Sequence, residues 1–472
     1  MNKFYPMLAA LPVMVSLALA GCTLQPDYHR PAMPVAARWD TAGQTGQTAT
    51  NGADIGWKKF FTDPAMNQLI GLALANNRDL RVAALNVETA RAQFHIDRAA
   101  LLPTVNAAVS QTSEHLPGNL YSTQSSGPVT YHQYDANLGI TSWEMDFFGR
   151  LRSLRDQALE SYLATEATRQ ASQISLIAGV ATGYLTLCSD NELLALAQNT
   201  ANSQLRSYDL TKRSYDAGVS TTQDLAQAET TVRSAQADVA QYTRQVRQDV
   251  NALRLLVGTE LPSGLAERAR LNKDWHFPAT PAGLPSDLLN RRPDIIAAEH
   301  TLKGANANIG AARAAFFPSI SLTAAGGSSS SGLGHLLEGG TAAWSFVPTI
   351  TLPIFDGGVN QANLDIADAE QKIEVANYEK TIQTAFKEVS DALAGQLTYQ
   401  QELTSRILDT AANQRNYDAS DMRYRQGVDN YLDVLVAQRS LYAAQQSQIS
   451  THLGLLEQQI TFYKVLGGGW KE

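Results

Sequence analysis

The chain has 472 residues, with 37 Lys and Arg against 45 Asp and Glu, and only two cysteines. That length holds a large core or about two or three ordinary domains, while a net charge of −8 offers no basic face for nucleic acid. Cys22 and Cys188 cannot build a disulfide framework, and no HExxH, Walker A loop, strand-linked GxGxxG or GxSxG elbow occurs, so no metal, cofactor or catalytic apparatus is expected.

In chain order, Lys3 precedes an apolar stretch from Met7 to Ala20, interrupted by Pro12 and Ser16. It is too short and broken for a membrane span and has the form of a secretory signal over residues 1–21. Its end, Leu19-Ala20-Gly21-Cys22, resembles the lipobox of bacterial lipoproteins. That resemblance implies cleavage before Cys22, acyl chains such as palmitate on Cys22, and sorting to the outer membrane because Thr23 rather than Asp follows. Each buried CH₂ of an acyl chain contributes about 0.8 kcal/mol. Residues 22–60 then read as the anchor and an extended tether, Pro-rich at Pro26, Pro31 and Pro34 and Gly/Thr/Gln-rich over 41–52. No later run of about 18 apolar residues suggests a helical span.

The remainder repeats once. Asp79-Leu80 through Leu102-Pro103-Thr104-Val105 matches Asp294-Ile295 through Phe317-Pro318-Ser319-Ile320 at an offset of 215. Tyr215-x-x-Gly218-Val219 with Asp224, Ala228 and Gln236 matches Tyr424-x-x-Gly427-Val428 with Asp433, Ala437 and Gln445 at 209. Preserved order and a near-constant offset indicate one duplicated module, residues 61–270 and 271–472.

Each module opens with a helix, over 64–101 and 286–316, ended by Pro103 or Pro318. Two alternating segments follow, a β-hairpin at about 103–145 and another at about 318–354, with polar loops over 113–130 and 326–341. Val105, Ala107 and Val109 alternate with Thr104, Asn106 and Ser110; Ala136, Leu138 and Ile140 with Asp135, Asn137 and Thr141. Such period-two stretches of about 9–11 residues suit tilted membrane strands. Next, Gly149–Asp216 and Gly357–Gln426 contain no proline and read as helices that would reach about 100 Å unbroken. Tight turns near 218 and 427 reverse the chain. The returning helices carry heptad stripes, Leu225, Val232, Val239, Val246 and Leu253, then Val428, Leu435, Tyr442, Ile449, Leu456 and Tyr463, which call for coiled-coil packing. Segments 259–285 and 397–415 lack that regularity and are expected in a small intervening layer, with the Gly467-Gly468-Gly469 tail.

Four membrane-length strands cannot close a barrel, and open edges in lipid strand backbone polar groups. The strands must therefore be pooled between copies. Two copies give eight strands and three give twelve; a twelve-stranded barrel is near 24 Å across, and if three copies also pool their helices, a ring of twelve leaves a bore of roughly 25–30 Å.

With Cys22, the segments Trp143-Glu144-Met145-Asp146-Phe147-Phe148-Gly149-Arg150 and Leu352-Pro353-Ile354-Phe355-Asp356-Gly357-Gly358, and the two turns, the mature chain resembles the outer membrane factor (TolC-like) family, in its lipoprotein (OprM/NodT-like) branch. The resemblance implies a mostly α fold with transmembrane β: a trimeric α/β barrel whose protomers each give four strands to a twelve-stranded outer-membrane barrel above a long periplasmic helical barrel. It also implies the passive exit duct of a tripartite efflux pump for drugs or other small molecules, with a periplasmic adaptor and an inner-membrane transporter of RND type as partners. A type I protein-secretion duct on the same scaffold is the alternative.

The same resemblance places adaptor docking at Gly218, Val219, Gly427 and Val428, and a gate at Asp224 and Asp433, with Asp429 and Tyr424 beside them. Inward-pointing aspartates from three copies would raise one another's pKa. Some members lock this gate with an Arg two residues after the second turn glycine. Here that residue is Asp429, leaving Arg423, Arg425 and Arg213 as substitutes. Glu144 and Asp146 are paired acids on one strand face that a glycosidase could use, but their place at a strand-to-helix junction favours a pore-lining or interfacial role, and no enzyme is expected.

Overall fold

Asp63 caps the first long helix: its carboxylate accepts the Met66 N–H at 2.8 Å, and Pro64 fills the first helical position, where no donor is needed. The computed structural model describes residues 23–39, 52–117, 127–272, 275, 277, 278 and 280–471; the leader and Cys22 lie outside the described residues. Its main elements are α1 (Pro64–Asn76), α2 (Arg78–Ala99), β1 (Val105–Leu116), β2 (Val129–Met145), α3 (Arg150–Asp216), α4 (Thr222–Val257), α5 (Leu288–Arg291), α6 (Pro293–Ala314), β3 (Ser319–Ser330), β4 (Ala342–Thr351), α7 (Val359–Arg425) and α8 (Tyr431–Val465). The chain divides into two compact units, one of residues up to 31, 87–165 and 298–378, the other of 32–86, 166–297 and 379–472. Both repeats contribute to each unit.

The first unit holds an antiparallel sheet in the order β1-β2-β3-β4, with β1 and β4 at its edges. Its register puts like with like: Val105 faces Ile140, Ala107 faces Leu138, Ile140 faces Ala324, Ala324 faces Phe346 and Ile320 faces Ile350. Directly opposed residues share a face, so one side is apolar across all four strands. The other side carries Asn106 with Ser110, Asp135 with Asn137, and Ser321 with Thr349.

The strands outrun the loops expected at 113–130 and 326–341: β1 continues to Leu116, β2 begins at Val129, and β3 passes through Gly326-Gly327 to Ser330. Gly327 marks a close strand approach rather than a loop. A Cβ on Gly327 would strike the Ala136 carbonyl and lie 2.7 Å from the Asn137 Cα. The alternation also changes phase. A bulge between Ile140 and Trp143, with Ser142 at φ 51°, brings Trp143 and Met145 opposite Leu322 and Ile320 on the apolar side.

In the second unit, α1 buries Met66, Leu69, Ile70 and Ala73, one face at helical spacing. They meet Leu185, Leu187 and Cys188 of α3, Leu253 and Val257 of α4, and Leu456, Ile460 and Tyr463 of α8. Trp57 and Phe60, at the end of the segment read as a tether, and Phe61 just after it, enter this core; Phe60 stacks on Tyr463 at 3.9 Å and on Phe277 at 5.1 Å. Burying each such side chain contributes about 1.5–3 kcal/mol. One stretch of α3 is long and apolar enough to cross a membrane, contrary to the sequence reading, but 56% of it is buried within the protein, as befits a core helix. Segment 397–415 forms no separate layer; it lies inside the unbroken α7. Among the heptad residues, Val232, Leu253, Leu435, Leu456 and Tyr463 are buried, whereas Val428 falls in a turn and is exposed.

The helices expected over 64–101 and 286–316 are each broken, at Asn77 and at Arg292. The Asn77 side chain accepts the Leu80 N–H at 2.8 Å and donates to the Leu256 carbonyl at 2.8 Å. Arg292 precedes Pro293, which disfavours helical backbone, and its Nη1 donates to the Val465 carbonyl at 3.0 Å. Gly258 and Gly467, at φ 74° and 87°, follow these two carbonyls and pack on the backbone at Asn76 and Arg291. The partners in the two joints differ by the repeat offsets of 215 and 209, so one joint is built twice.

Candidate functional site: the two helical turns

The ends of α3 and α7 close in the same way. Gly218 at φ 73° donates to the Tyr215 carbonyl at 2.8 Å, and Val219 donates to Ser214 at 2.8 Å. Gly427 at φ 71° donates to Tyr424 at 2.9 Å, and Val428 to Arg423 at 3.0 Å. This is the Schellman arrangement, which satisfies the last helical carbonyls and needs a left-handed residue that glycine supplies without strain. It leaves Val219 82% and Val428 60% exposed, two aliphatic side chains held out at neighbouring-type turns with no cover from the chain.

The returning helices begin three residues later. Thr221 caps α4 by accepting the Asp224 N–H at 3.1 Å, and the Asp224 carboxylate accepts the Thr221 N–H at 2.9 Å and its hydroxyl at 2.7 Å. Within one copy, these bonds hold the Asp224 carboxyl below the usual carboxylate range. Asn430 caps α8, accepting the Asp433 N–H at 3.2 Å. Both aspartates thus occupy the third helical position, where a carboxylate also meets the positive end of the helix dipole. The Thr-x-x-Asp spacing of Thr221 and Asp224 was a legible capping signal that a search for gate acids passes over.

Asp429 is not a free acid. Arg423 grips it with two bonds, Nε–Oδ2 at 2.6 Å and Nη2–Oδ1 at 2.8 Å, and this pairing holds the Asp429 carboxyl low. Of the three arginines named as substitutes for the missing lock, Arg423 therefore closes on its own turn, and Arg425 pairs with Asp421 at 2.9 Å. Tyr424 lies 5.3 Å from the Tyr431 ring, centroid to centroid.

Farther along these helices, Tyr442 donates to Asp238 at 3.2 Å and Gln446 to the Tyr242 hydroxyl at 2.9 Å, two polar rungs between α8 and α4. A groove of about 600 Å³ lies beside them, lined by Gln204, Thr231, Asp238, Arg439 and Tyr442 among others. On the first hairpin, Asp249 of α4 meets Asp190 of α3. Burial, and then the neighbouring Asp190 charge, push the Asp249 carboxyl up to about 7. Its folded pKa thus exceeds the unfolded value of about 4, the folded chain binds the extra proton between these values, and stability falls as pH rises through that window. Asp249→Asn is expected to raise the thermal midpoint at pH 8 and leave it nearly unchanged at pH 4. The gain at pH 8 is roughly 1–2 kcal/mol after allowance for solvent screening. Thermal melts of both proteins at the two pH values check this.

The acid pair at the strand-to-helix junction is neutralised: Arg150 binds Glu144 through two bonds, at 2.8 and 2.6 Å, and Arg152 binds Asp146 at 3.1 Å. Among the described residues, no three His, Cys, Asp or Glu side chains group as metal ligands.

A family profile described as "Outer membrane efflux protein" matches residues 69–259 and 284–468. The toluene efflux pump outer membrane protein TtgC of Pseudomonas putida is 48% identical over 464 residues, covering 97% of this chain and 95% of that one. Outer membrane protein OprJ of Pseudomonas aeruginosa is 41% identical over 477 residues, covering 99% and 97%. Among solved structures, the open state of the Neisseria gonorrhoeae MtrE outer membrane channel superposes with a TM-score of 0.86 at 39% identity, over 95% of this chain and 99% of that one.

Proposed function

Because the chain belongs to the outer membrane efflux protein family, and is thereby an outer-membrane exit duct of an efflux pump, we propose that three copies form that duct and that its gate lies at the two helical turns. The observation that carries the reading is the four-stranded sheet with one apolar face and two open edges. In lipid those edges need partners, and three sheets supply the strands of a closed twelve-stranded barrel. Acyl chains on Cys22 anchor each copy. A periplasmic adaptor docks on the exposed Val219 and Val428, held out by Gly218 and Gly427, and an RND-type inner-membrane transporter supplies the cargo. We take drugs or other small molecules as that cargo, and the toluene-pump relative supports small organic molecules among them. The duct has no catalytic step of its own, in keeping with the arginine-bound Glu144 and Asp146.

At the gate, Asp224 and Asp433 from three copies ring the bore, with Tyr424 and the Arg423-bound Asp429 stiffening the second turn. The test separates charge from capping. Asparagine keeps an acceptor for the Thr221 N–H and removes the charge, so Asp224→Asn with Asp433→Asn is expected to raise single-channel conductance in planar bilayers. Conductance equal to that of the unchanged protein would reduce both aspartates to charges on the first turns of their helices and remove the gate from this site.

A further inference from the structure

The turn between β3 and β4, residues 331–341, lies at the end of the sheet away from the junctions with α6 and α7, and it does not run straight off the strands. Ser328 stands opposite Ala136 and Ala342, and Ala136 opposite Val109, so the Ser328 hydroxyl is on the apolar side of the sheet. The hydroxyls of Ser328 and Thr341 lie 2.6 Å apart and take the carbonyls of Leu336 and Glu338 between them, the latter at 2.9 Å from Thr341. The Ser329 N–H donates to the Thr341 carbonyl at 2.9 Å. The turn is thus tied down on the apolar side. Leu336 is buried in it, while Leu333 and Leu337, on either side, are 64% and 89% exposed.

We propose that this turn is a lipid contact: it folds onto the membrane face of the sheet and sets Leu333 and Leu337 among the acyl chains of the outer leaflet. The inference rests on the reading that the apolar side of the sheet faces lipid, and it adds to that side a loop which is not part of any strand.

Three observations support it. First, the side of the sheet on which the turn folds has no cover from the chain: Trp344, Phe346 and Ile350 of β4 are all exposed there. A turn tied down on that side meets whatever covers these residues. Second, the apolar band of β3 is short. Ile320 and Ser328 are eight steps apart, and at about 3.4 Å per step and a tilt of about 40° they span about 21 Å along the membrane normal. The apolar band of membrane barrels is about 25 Å tall. The turn is fastened at Ser328, the outer edge of this band, where its leucines make up the difference. Third, the same side of the first hairpin marks that edge independently. Beyond Val109 and Ala136 come Gln111 with Tyr134, Ser113 with His132 and His115 with Thr130, side chains that suit headgroups or water. A turn that only joined two strands needs glycine and polar residues, which this one has in Gly332, Gly334, Gly339 and Gly340. Linking the strands does not call for Leu333 and Leu337.

The experiment is fluorescence quenching of a bimane label on introduced cysteines of the full chain, reconstituted in dioleoylphosphatidylcholine vesicles. The quencher is either a spin label high on the lipid acyl chain or iodide in the water. Leu337→Cys is compared with Phe346→Cys on the apolar strand face and with Glu338→Cys beside it in the turn. The unsubstituted chain, whose Cys188 is buried, serves as the blank. Leu337→Cys is expected to be quenched by the lipid-borne label as strongly as Phe346→Cys, and by iodide several-fold less than Glu338→Cys. Leu333→Cys repeats the test should that variant fail to assemble. Iodide quenching of Leu337→Cys equal to that of Glu338→Cys, with Phe346→Cys quenched from the lipid, puts the turn in water and overturns the inference while the apolar-face reading stands. Shielding of Leu337→Cys from both quenchers also overturns it, and sets the turn against a second copy of the chain. Phe346→Cys quenched by iodide and not from the lipid overturns the reading and the inference together.

Discussion

Gly258→Ala is expected to destabilise the second unit by about 3 kcal/mol or more, the sum of a left-handed backbone forced on an L-residue and a clash that cannot relax. Gly258 ends α4 at φ 74°, and a Cβ there would strike the Asn76 carbonyl group, with its carbon at 2.8 Å, and lie 3.2 Å from the Asn77 Cα. The obstacle is backbone, not the end of a flexible side chain. It is also the break between α1 and α2, tied to the same place by the bond from Asn77 to Leu256. Gly218→Ala makes the matched control: its φ is 73°, but nothing lies within 4 Å of the added carbon, so about 1–2 kcal/mol of local strain is expected there. Denaturation followed by tryptophan fluorescence reports on this core through the buried Trp57. Equal losses in the two variants would show that the joint tolerates a methyl group.

Arg292→Ala is expected to cost about 2–4 kcal/mol through the corresponding joint of the second repeat. The guanidinium is only 9% exposed and spans three partners: Asp294 at 3.0 and 2.6 Å, Glu388 at 2.8 Å and the Val465 carbonyl at 3.0 Å. Burial works against the charge, but the carboxylates of Asp294 and then Glu388 outweigh it and hold the group cationic. Truncation leaves the Val465 carbonyl at the end of α8 without this donor. The two acids are partly exposed and recover water, which keeps the loss below that of a fully buried pair. Arg292→Lys keeps the charge and loses the fork, so a midpoint between those of the parent and the alanine variant is expected in the same melts. An unchanged midpoint for Arg292→Ala would mean that the α5–α6 break is held by Pro293 alone.

These joints also show what the sequence concealed. The break at Asn77 has no proline to mark it, so the sequence reading runs the helix across Asn76-Asn77, although asparagine is a favoured helix cap. The second repeat carries the signal openly, as Arg292-Pro293, and the offset of 215 places Pro293 on Arg78. The duplication was legible because both copies kept their proline helix ends and their Gly-Val turns, features that backbone geometry demands. Gly327 of β3 and the bulge at Ser142 were not, since only the partner strand shows that Gly327 is a place of close approach. At the turns, the left-handed glycines and the acids of the returning helices were readable from spacing. The grip of Arg423 on Asp429 was not, because six residues of separation become neighbours only once the Schellman turn has formed. The apolar side of the sheet was visible as alternation, and four strands too few to close a barrel already implied open edges; the folded chain adds that these are β1 and β4.

The most direct measurement is therefore the native mass of the protein released from membranes in mild detergent, with the same particles placed in a planar bilayer. Three copies per particle and a small, mostly closed conductance are expected. Particles of a single copy that conduct nothing would contradict the pooled barrel and, with it, the gated duct.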